Sequence, residues 1–332
     1  MATIRDVAKL AGVSVATVSR VINKNGYVNK ETEQKVTRAI EHLRYEPNAV
    51  ARGLAGKQTG TIALVLPDIS NPFFPEVARA VEDMAQSHGY TVILCNSDDQ
   101  GSKEKLYIEV LKKKYIDGII FASNTLEQDD VERLGKVPLV VLDRAPMSNI
   151  CSVIRSKNQE GAKLAVKHLQ EVGCKKIAHI YGPQELVTAK KRLSGYEEAV
   201  KEFSWFSPSL MVPGFFRIDG GLRAVQELMS KHPDVDGIFA GNDLMAIGAI
   251  KGLNRMGIRV PKDVAVCGFD GIGLTEVTEP ELTTIAQPIY DMGALATRVL
   301  IEKIVTGTEE IKLYELDVTL VQRDSTRRVN ER

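Results

Sequence analysis

Apolar residues near the start of the chain follow a helical period that is interrupted once. Between residues 4 and 22 they fall on both sides of Gly12, at Ile4, Val7, Ala8, Leu10, Ala11, Val13, Val18, Val21 and Ile22. Thr3 and Ser14 stand where a side-chain oxygen can cap each helix, and glycine readily ends one. The pattern predicts two short helices around a tight turn and a third over 30–43, which together form a helix-turn-helix unit.

Beyond residue 60, short apolar runs alternate with amphipathic stretches. The predicted strands are 61–66, 91–95, 118–122, 138–143, 176–181, 237–240 and 264–270, and the predicted helices are 75–88, 102–113, 160–171, 188–203, 220–231 and 243–256. Repeated β-α units favour parallel sheets with ligands at the carboxyl ends of the strands. Because the series restarts, we expect two lobes, an N-lobe of about 60–159 and 289–322 and a C-lobe of about 160–288.

Composition limits the class of protein. The chain has 332 residues, 44% hydrophobic and 26% charged, which is typical of soluble globular proteins and allows about two domains. No stretch approaches 18 consecutive apolar residues, and the first residues carry charges where a signal peptide is apolar. We expect a cytoplasmic protein with no membrane partner. Its four cysteines show no C-x-x-C spacing, so free thiols and no metal site are expected.

Charge is distributed unevenly although the net charge is zero. Residues 1–60 carry ten basic and five acidic side chains, whereas the remaining residues carry five more acidic than basic ones. A basic segment joined to an acidic body suits a protein that meets nucleic acid with one end only. Charge alone is equally compatible with a solvated surface.

The second predicted helix carries side chains suited to DNA. Its apolar face leaves five residues pointing outward: Val15, Ala16, Thr17, Ser19 and Arg20. Small apolar groups can contact thymine methyls, and arginine can bind guanine O6 and N7. Phosphate oxygens are suitable partners for Thr3, Thr17, Ser19 and Asn23. The periodicity by itself fits a small helical bundle equally well.

Two segments resemble the DNA-binding headpiece of the lactose-repressor (LacI/GalR) family. They are TIRDVAKLAGVSVATVSRVIN (3–23) and YEPNAVARGL (45–54). The resemblance implies a DNA-binding domain over 1–45, in which Val15, Ala16 and Arg20 contact bases. It also implies a hinge helix and linker over 46–59, in which Leu54 wedges into the minor groove, with Asn48 and Ala51 as further DNA contacts.

The hinge segment has a composition that fits this role. About seven residues are too few for a stable isolated helix, and Gly53 weakens it further. We expect it to order only on operator DNA beside a partner hinge, which implies a homodimer on a pseudo-palindromic site. Ala49 and Ala51 are small enough for two such helices to approach closely. Packing of Leu54 against the body is the alternative.

Polar and aromatic side chains follow the predicted strands, where parallel strands bring them to one cleft. The candidates are Asn71, Phe73, Phe74, Asp143, Arg144, Arg192, Phe216, Asn242, Asp270 and Gln287. Sugar rings stack on aromatic faces, and sugar hydroxyls need both donors and acceptors. The phenylalanines also suit the core. Asp243 favours a helix N-cap over a ligand.

The body resembles the same family along its length, and most closely its branch that controls ribose genes. The segments that carry this resemblance are DISNPFF, RLSGY, GNDLMAIGA, GFD and TTIAQP. It is also similar to the periplasmic ribose-binding protein, in which the positions of all ten candidates surround the sugar. Ser123 is an eleventh candidate, at a position where the binding protein has an asparagine.

These resemblances imply a transcriptional repressor, not an enzyme, whose 60–332 domain dimerises and binds ribose or a related pentose as effector without a cofactor. A catabolite-control regulator with a protein or sugar-phosphate corepressor is the alternative, and an additional protein corepressor remains open. The headpiece argues against a transport binding protein. The absence of an activated nucleophile or metal cluster from the sequence argues against an enzyme.

Overall fold

The computed structural model describes residues 2–23, 26–45, 59–122, 128–143 and 150–327, without the side chains of Asn23 and Gln128. The chain divides into two compact units, Met1–Thr59 and Gly60–Arg332. The first contains a helical headpiece and the second an α/β body. This combination confirms the predicted fold class.

Three helices form the headpiece: α1 (Ile4–Ala11), α2 (Val15–Asn23) and α3 (Lys30–Leu43). Their core is small and apolar, with Val7, Val18 and Val36 fully buried. One face of each short helix therefore supplies the packing that a helix of this length needs in water.

The caps predicted for the headpiece helices are confirmed. Thr3 Oγ1 accepts a hydrogen bond from Asp6 N, and Asp6 Oδ2 accepts one from Thr3 N, which completes a capping box. Gly12 takes the left-handed conformation at φ 68°, which ends α1. Ser14 Oγ then accepts from Thr17 N at 3.1 Å and caps α2.

The N-lobe is built on a six-stranded parallel sheet with the order β11-β5-β4-β3-β1-β2. Its elements are β1 (Thr61–Leu66), α4 (Phe73–Ser87), β2 (Thr91–Asn96), α5 (Gly101–Lys113), β3 (Gly118–Phe121), α6 (Gln128–Leu134), β4 (Leu139–Leu142), β5 (Ser152–Ser156), α11 (Ile289–Thr306) and β11 (Leu313–Leu316). Helices α4 and α11 pack on one face, and side chains of α5 and α6 join the cluster on the other. Strands buried on both faces explain the continuous apolar runs of the sequence.

The C-lobe repeats this arrangement with the order β12-β10-β9-β8-β6-β7. Its elements are α7 (Asn158–Glu171), β6 (Ile177–Tyr181), α8 (Val187–Val200), β7 (Met211–Pro213), α9 (Ile218–Lys231), β8 (Gly237–Ala240), α10 (Asp243–Arg255), β9 (Ala265–Asp270), β10 (Thr283–Ala286) and β12 (Thr319–Val321). Helices α9 and α10 cover one face, and α7 and α8 cover the other.

Three crossovers connect the lobes, from β5 to α7, from β10 to α11 and from β11 to β12. The third crossover shows that the predicted end of the N-lobe at residue 322 was wrong. Residues 319–321 form β12, which belongs to the C-lobe sheet. β12 pairs antiparallel with β10, so the C-lobe sheet is also not wholly parallel. Ser325, fully buried, anchors the following turn by donating from Oγ to the Val266 carbonyl at 2.6 Å.

Each of the four cysteines is buried, and none of them forms a disulfide bond. None of the helices in the described part of the chain is both long and apolar enough to cross a membrane.

Candidate functional site

The outward face of α2 carries the predicted base contacts. Val18 is fully buried, and Val21 and Ile22 pack against the same core. Val15, Ala16 and Arg20 are exposed at the surface of the headpiece. A short apolar patch followed by an arginine is a surface suited to the major groove.

The hydroxyls predicted to contact phosphates already have local partners. Thr3 Oγ1 donates to Asp6 Oδ2 at 2.7 Å, and Thr17 Oγ1 lies 2.9 Å from Ser14 Oγ. Ser19 is half-buried on α2. Their predicted contacts with DNA therefore require these hydroxyls to share or exchange their local hydrogen bonds.

Several predicted contacts fall outside the described residues. They are the side chain of Asn23, the DNA contacts Asn48, Ala51 and Leu54, and the ligand contacts Ser123 and Arg144. Their roles stay predictions.

The other nine predicted ligand residues line one cleft, which encloses about 270 Å³, including the part open to solvent. The residues around it are Asn71, Phe73, Phe74, Asp143, Thr188, Arg192, Phe216, Asn242, Asp270 and Gln287. Aromatic and polar side chains that converge on a small cleft suit a small polar ligand such as a monosaccharide.

Strand ends with unusual backbone geometry aim these side chains. Asp143 follows β4 at φ 64°, Asp270 ends β9 at φ 116°, and Phe216 follows β7 at φ 57°. Positive φ is uncommon outside glycine and clusters at functional sites. It turns each side chain away from the direction that a continuing strand would give it.

Gly182 makes room for the aromatic wall formed by Phe216. A Cβ at position 182 would lie 2.3 Å from the Phe216 ring, so only glycine fits there without moving the ring. The sequence offered only the Gly-Pro turn after β6 as a signal for this contact.

A buried ion pair organises the C-lobe side of the cleft. Arg192 Nη1 donates to Asp270 Oδ1 at 2.9 Å and to the Gly241 carbonyl at 2.6 Å. Gln287 Nε2 donates to the same Asp270 oxygen at 2.8 Å. Gln287 Oε1 is buried and, among the described residues, has no hydrogen-bond partner. That oxygen is therefore an acceptor suited to a ligand hydroxyl, because a buried polar atom normally has a partner.

Burial raises the pKa of Asp270, and the neighbouring charge of Asp143 raises it further, whereas Arg192 lowers it. The Arg192 guanidinium also lies over the Phe269 ring at 3.8 Å and over the Phe216 ring at 5.8 Å. The cleft thus combines aromatic faces with a charged pair that can accept and donate hydrogen bonds.

Asp243 corrects a detail of the sequence analysis. The N-cap of α10 is Asn242, whose Oδ1 accepts from Met245 N at 2.9 Å. Asp243 is the first helical residue, and its buried carboxylate accepts from Gly271 N, Ile272 N and Thr284 Oγ1. It fixes the turn after β9 that presents Asp270, although burial raises its pKa. The cap position was wrong by one residue because both side chains suit it.

Two predicted ligands are partly engaged in local structure. Asn242 uses its oxygen for the cap, and Asn71 Oδ1 accepts from Phe73 N at 3.2 Å. Each retains its amide donors for a ligand. Phe73 and Phe74 also belong to the N-lobe core, so they combine a packing role with a position on the cleft wall.

Thr188, in the first turn of α8, lines the cleft and was missed. Nothing in its sequence context distinguishes it from an ordinary helix residue. In the described part of the chain, no three histidine, cysteine, aspartate or glutamate side chains group as metal ligands would.

Two known protein families match this chain. The family described as "Bacterial regulatory proteins, lacI family" matches residues 3–48. The family described as "Periplasmic binding proteins and sugar binding domain of LacI family" matches residues 59–324, well over half of the chain. The chain belongs to the LacI family.

Individual members of the LacI family are similar over the full length. The ribose operon repressor of Halalkalibacterium halodurans is 48% identical over 98% of both chains. Catabolite control protein A of Priestia megaterium is 39% identical over 98% of this chain and 99% of its own. The first of these relatives is a repressor by name, which is the class of function that the sequence predicted for this chain.

Solved structures of LacI-family proteins share the fold. The Lac repressor dimer bound to operator and the anti-inducer ONPF is 28% identical, with a TM-score of 0.87 over 98% of this chain and 99% of that chain. A LacI-family transcriptional regulator from Enterococcus faecium with bound ribose is 30% identical, with a TM-score of 0.73 over 81% of this chain and 100% of that chain.

Proposed function

We propose that this LacI-family regulator represses genes for ribose uptake and utilisation and leaves its operator when ribose or a close pentose binds. The observation that carries the proposal is the convergence of nine predicted sugar contacts on one small cleft. The 48% identity with a ribose operon repressor and the likeness to a ribose-bound regulator support the choice of sugar.

The side chains of the cleft match the chemistry of a pentose. Phe73, Phe74 and Phe216 offer apolar surface to the C–H groups of the ring. Asp143 and Asp270 accept hydrogen bonds from neighbouring hydroxyls, and Arg192 donates. Gln287 adds an amide whose buried oxygen is available to a hydroxyl. Binding a neutral sugar leaves the Arg192–Asp270 pair in place, so no charge has to be buried anew.

The proposed mechanism is a shift between two populations of the body. Cleft residues come from both lobes, so a sugar that contacts both favours the closed arrangement. In the cytoplasm, a homodimer would hold two headpieces on a pseudo-palindromic operator, with α2 of each in the major groove. Closure would then disfavour ordering of the paired 46–59 segments on DNA. The dimeric Lac repressor supports the homodimer.

The similarity to catabolite control protein A favours a second function, regulation through a protein or sugar-phosphate corepressor. The nine predicted sugar contacts that line the cleft favour a free sugar instead. A pentose effector therefore accounts for more of the observed geometry.

A thermal-shift screen tests the effector directly. The full chain is heated with ribose, arabinose, xylose or ribose 5-phosphate, beside an Asp270→Ala variant. Ribose at a hundredfold excess over its Kd should stabilise the wild type by about 2.7 kcal/mol and the variant far less. If only ribose 5-phosphate raised the melting temperature, the effector would be the sugar phosphate and not ribose. No shift with any of the four would contradict a pentose effector.

A further inference from the structure

A chain of buried hydrogen bonds leads from the cleft to the first crossover between the lobes. Asn158 is the first residue of α7, directly after that crossover, and is 4% exposed. Its Oδ1 accepts from Arg192 Nε at 2.7 Å, and its Nδ2 donates to the Ser156 carbonyl at the end of β5. Asn158 does not line the sugar cleft itself but lines the adjoining cavity, which shares Asp143 and Thr188 with that cleft. It therefore bridges a predicted ligand contact and a connection between lobes.

Packing couples Arg192 to the same helix. The Arg192 guanidinium lies 3.8 Å from the centre of the Phe269 ring, on the side of the sheet covered by α7. A Cβ at Gly161 would lie 2.7 Å from that ring, so the first turn of α7 rests directly on Phe269. A displacement of Arg192 is thus resisted both by the hydrogen bond to Asn158 and by this stack, since packed interiors have little free space.

The other two crossovers connect to this network. Gln287, between β10 and α11, donates to the Asp270 oxygen that also accepts from Arg192. Lys157, beside Asn158, pairs with Asp317 at 2.6 Å in the crossover from β11 to β12. Side-chain hydrogen bonds therefore join two of the lobe connections to the Arg192–Asp270 pair, and the third meets them through the backbone between Lys157 and Asn158.

We propose that Asn158 is a positioning residue that transmits sugar binding from Arg192 to the first crossover. An amide suits the position because it accepts from a guanidinium and donates to a carbonyl at once. A sugar that fixes Arg192 would then fix the angle between β5 and α7, which sets how the lobes close. The inference rests on the proposed function, because it needs a sugar that alters operator affinity.

The variant Asn158→Asp keeps one of the two Asn158 hydrogen bonds and removes the other. The carboxylate still accepts from Arg192 but has no donor for the Ser156 carbonyl. The readout is the coupling ratio, the operator Kd at saturating ribose divided by the operator Kd without ribose, from fluorescence anisotropy of the full chain. Allosteric coupling is typically ~5–150-fold. We expect the variant to bind ribose within about fivefold of the wild type in calorimetry and to retain less than about a third of the wild-type coupling ratio.

Two further variants complete the experiment. Gln159→Glu makes the same amide-to-acid change one residue along, where the side chain donates to the surface residue Glu198. Its coupling ratio should stay within about twofold of the wild type. Asn158→Leu keeps the size but loses both hydrogen bonds, so ribose affinity and coupling ratio should both fall.

The inference would be overturned if both Asn158 variants kept the wild-type coupling ratio and lost only ribose affinity or melting temperature. The proposed function would then remain intact. Equal loss in Gln159→Glu would also overturn it, because the effect would then follow charge and not position. A wild type whose operator affinity ignores bound ribose would overturn the proposed function and this inference together.

Discussion

The phenylalanines of the cleft differ in how much of each ring is already packed. Phe74 is 1% exposed and belongs to the N-lobe core, whereas Phe216 is half-buried and faces Arg192. Removing a buried ring costs packing and leaves a cavity. Removing Phe216 takes away surface that a sugar would cover.

We therefore expect Phe74→Ala to lower the free energy of unfolding by about 3–5 kcal/mol, and Phe216→Ala to lower it much less. Phe216→Ala should instead weaken ribose binding by about tenfold, or ~1.4 kcal/mol. Urea unfolding and calorimetry measure the two quantities. Unchanged ribose affinity in Phe216→Ala would remove this ring from the site.

Most of the nine predicted sugar contacts in the described part of the chain could be assigned to one cleft because they follow strands, and parallel strands end at one edge. Arg192 is the exception, because it lies within helix α8. The roles of Asp243 and Thr188 could not be predicted, because they depend on contacts between segments that are distant in the sequence. Asp243 accepts from Gly271 N and Thr284 Oγ1, partners that no local pattern identifies. Thr188 lines the cleft only because of the position of α8.

His179 makes stability depend on pH. Its ring stacks between Tyr196 and Phe239, Nδ1 donates to the Phe239 carbonyl at 2.9 Å, and Nε2 is buried without a hydrogen-bond partner among the described residues. Burial lowers the pKa of His179 to about 3 from its ordinary value of 6.5, and the nearby charge of Arg192 contributes. The folded protein therefore holds this histidine neutral.

A base with a lowered pKa binds more protons when unfolded, so its contribution to stability is complete above pH 6.5 and is lost as pH falls toward 3. Between pH 6.5 and 5 the loss from His179 should be about 2 kcal/mol. The variant His179→Phe keeps an aromatic ring but has no group that titrates there. Between pH 6.5 and 5, the free energy of unfolding of the variant should therefore fall by about 2 kcal/mol less than that of the wild type. Identical pH dependence in urea unfolding of both proteins would contradict the assignment.

At the scale of elements, most helices and strands follow from periodicity, and the differences concern short segments. β12 has three residues, too few for an alternating pattern, so its lobe is set by pairing with β10 and not by local sequence. After it, Thr326 Oγ1 lies 2.8 Å from His168 Nε2, and Ser325 Oγ accepts from Thr283 N. Residues 325–326 are therefore part of the C-lobe core.

Ending the chain at Val318 should destabilise the body strongly. It removes the partners of the Thr283 amide and the Val266 carbonyl, each a buried group that costs ~1–3 kcal/mol when left unpaired. We expect the melting temperature to fall by about 10 °C or more. A control chain ending at Arg327 keeps these contacts and should melt within about 2 °C of the full chain. Equal melting of the two shortened chains would contradict the structural role of 319–326.

At the scale of the whole molecule, the zero net charge is the sum of a basic headpiece and an acidic body. The headpiece exposes Val15, Ala16 and Arg20 on α2, and both lobes of the body contribute side chains to the cleft. The net negative charge of the body disfavours its binding to DNA phosphates. Under the proposed function, linkage requires that sugar and operator each weaken the binding of the other by the same factor.

The most direct test is the operator affinity of the full chain with and without saturating ribose, by fluorescence anisotropy at one fixed salt concentration. Our account predicts that ribose raises the operator Kd by about 5–150-fold, and that operator DNA raises the ribose Kd by the same factor. Tight ribose binding in calorimetry together with an unchanged operator Kd would contradict it.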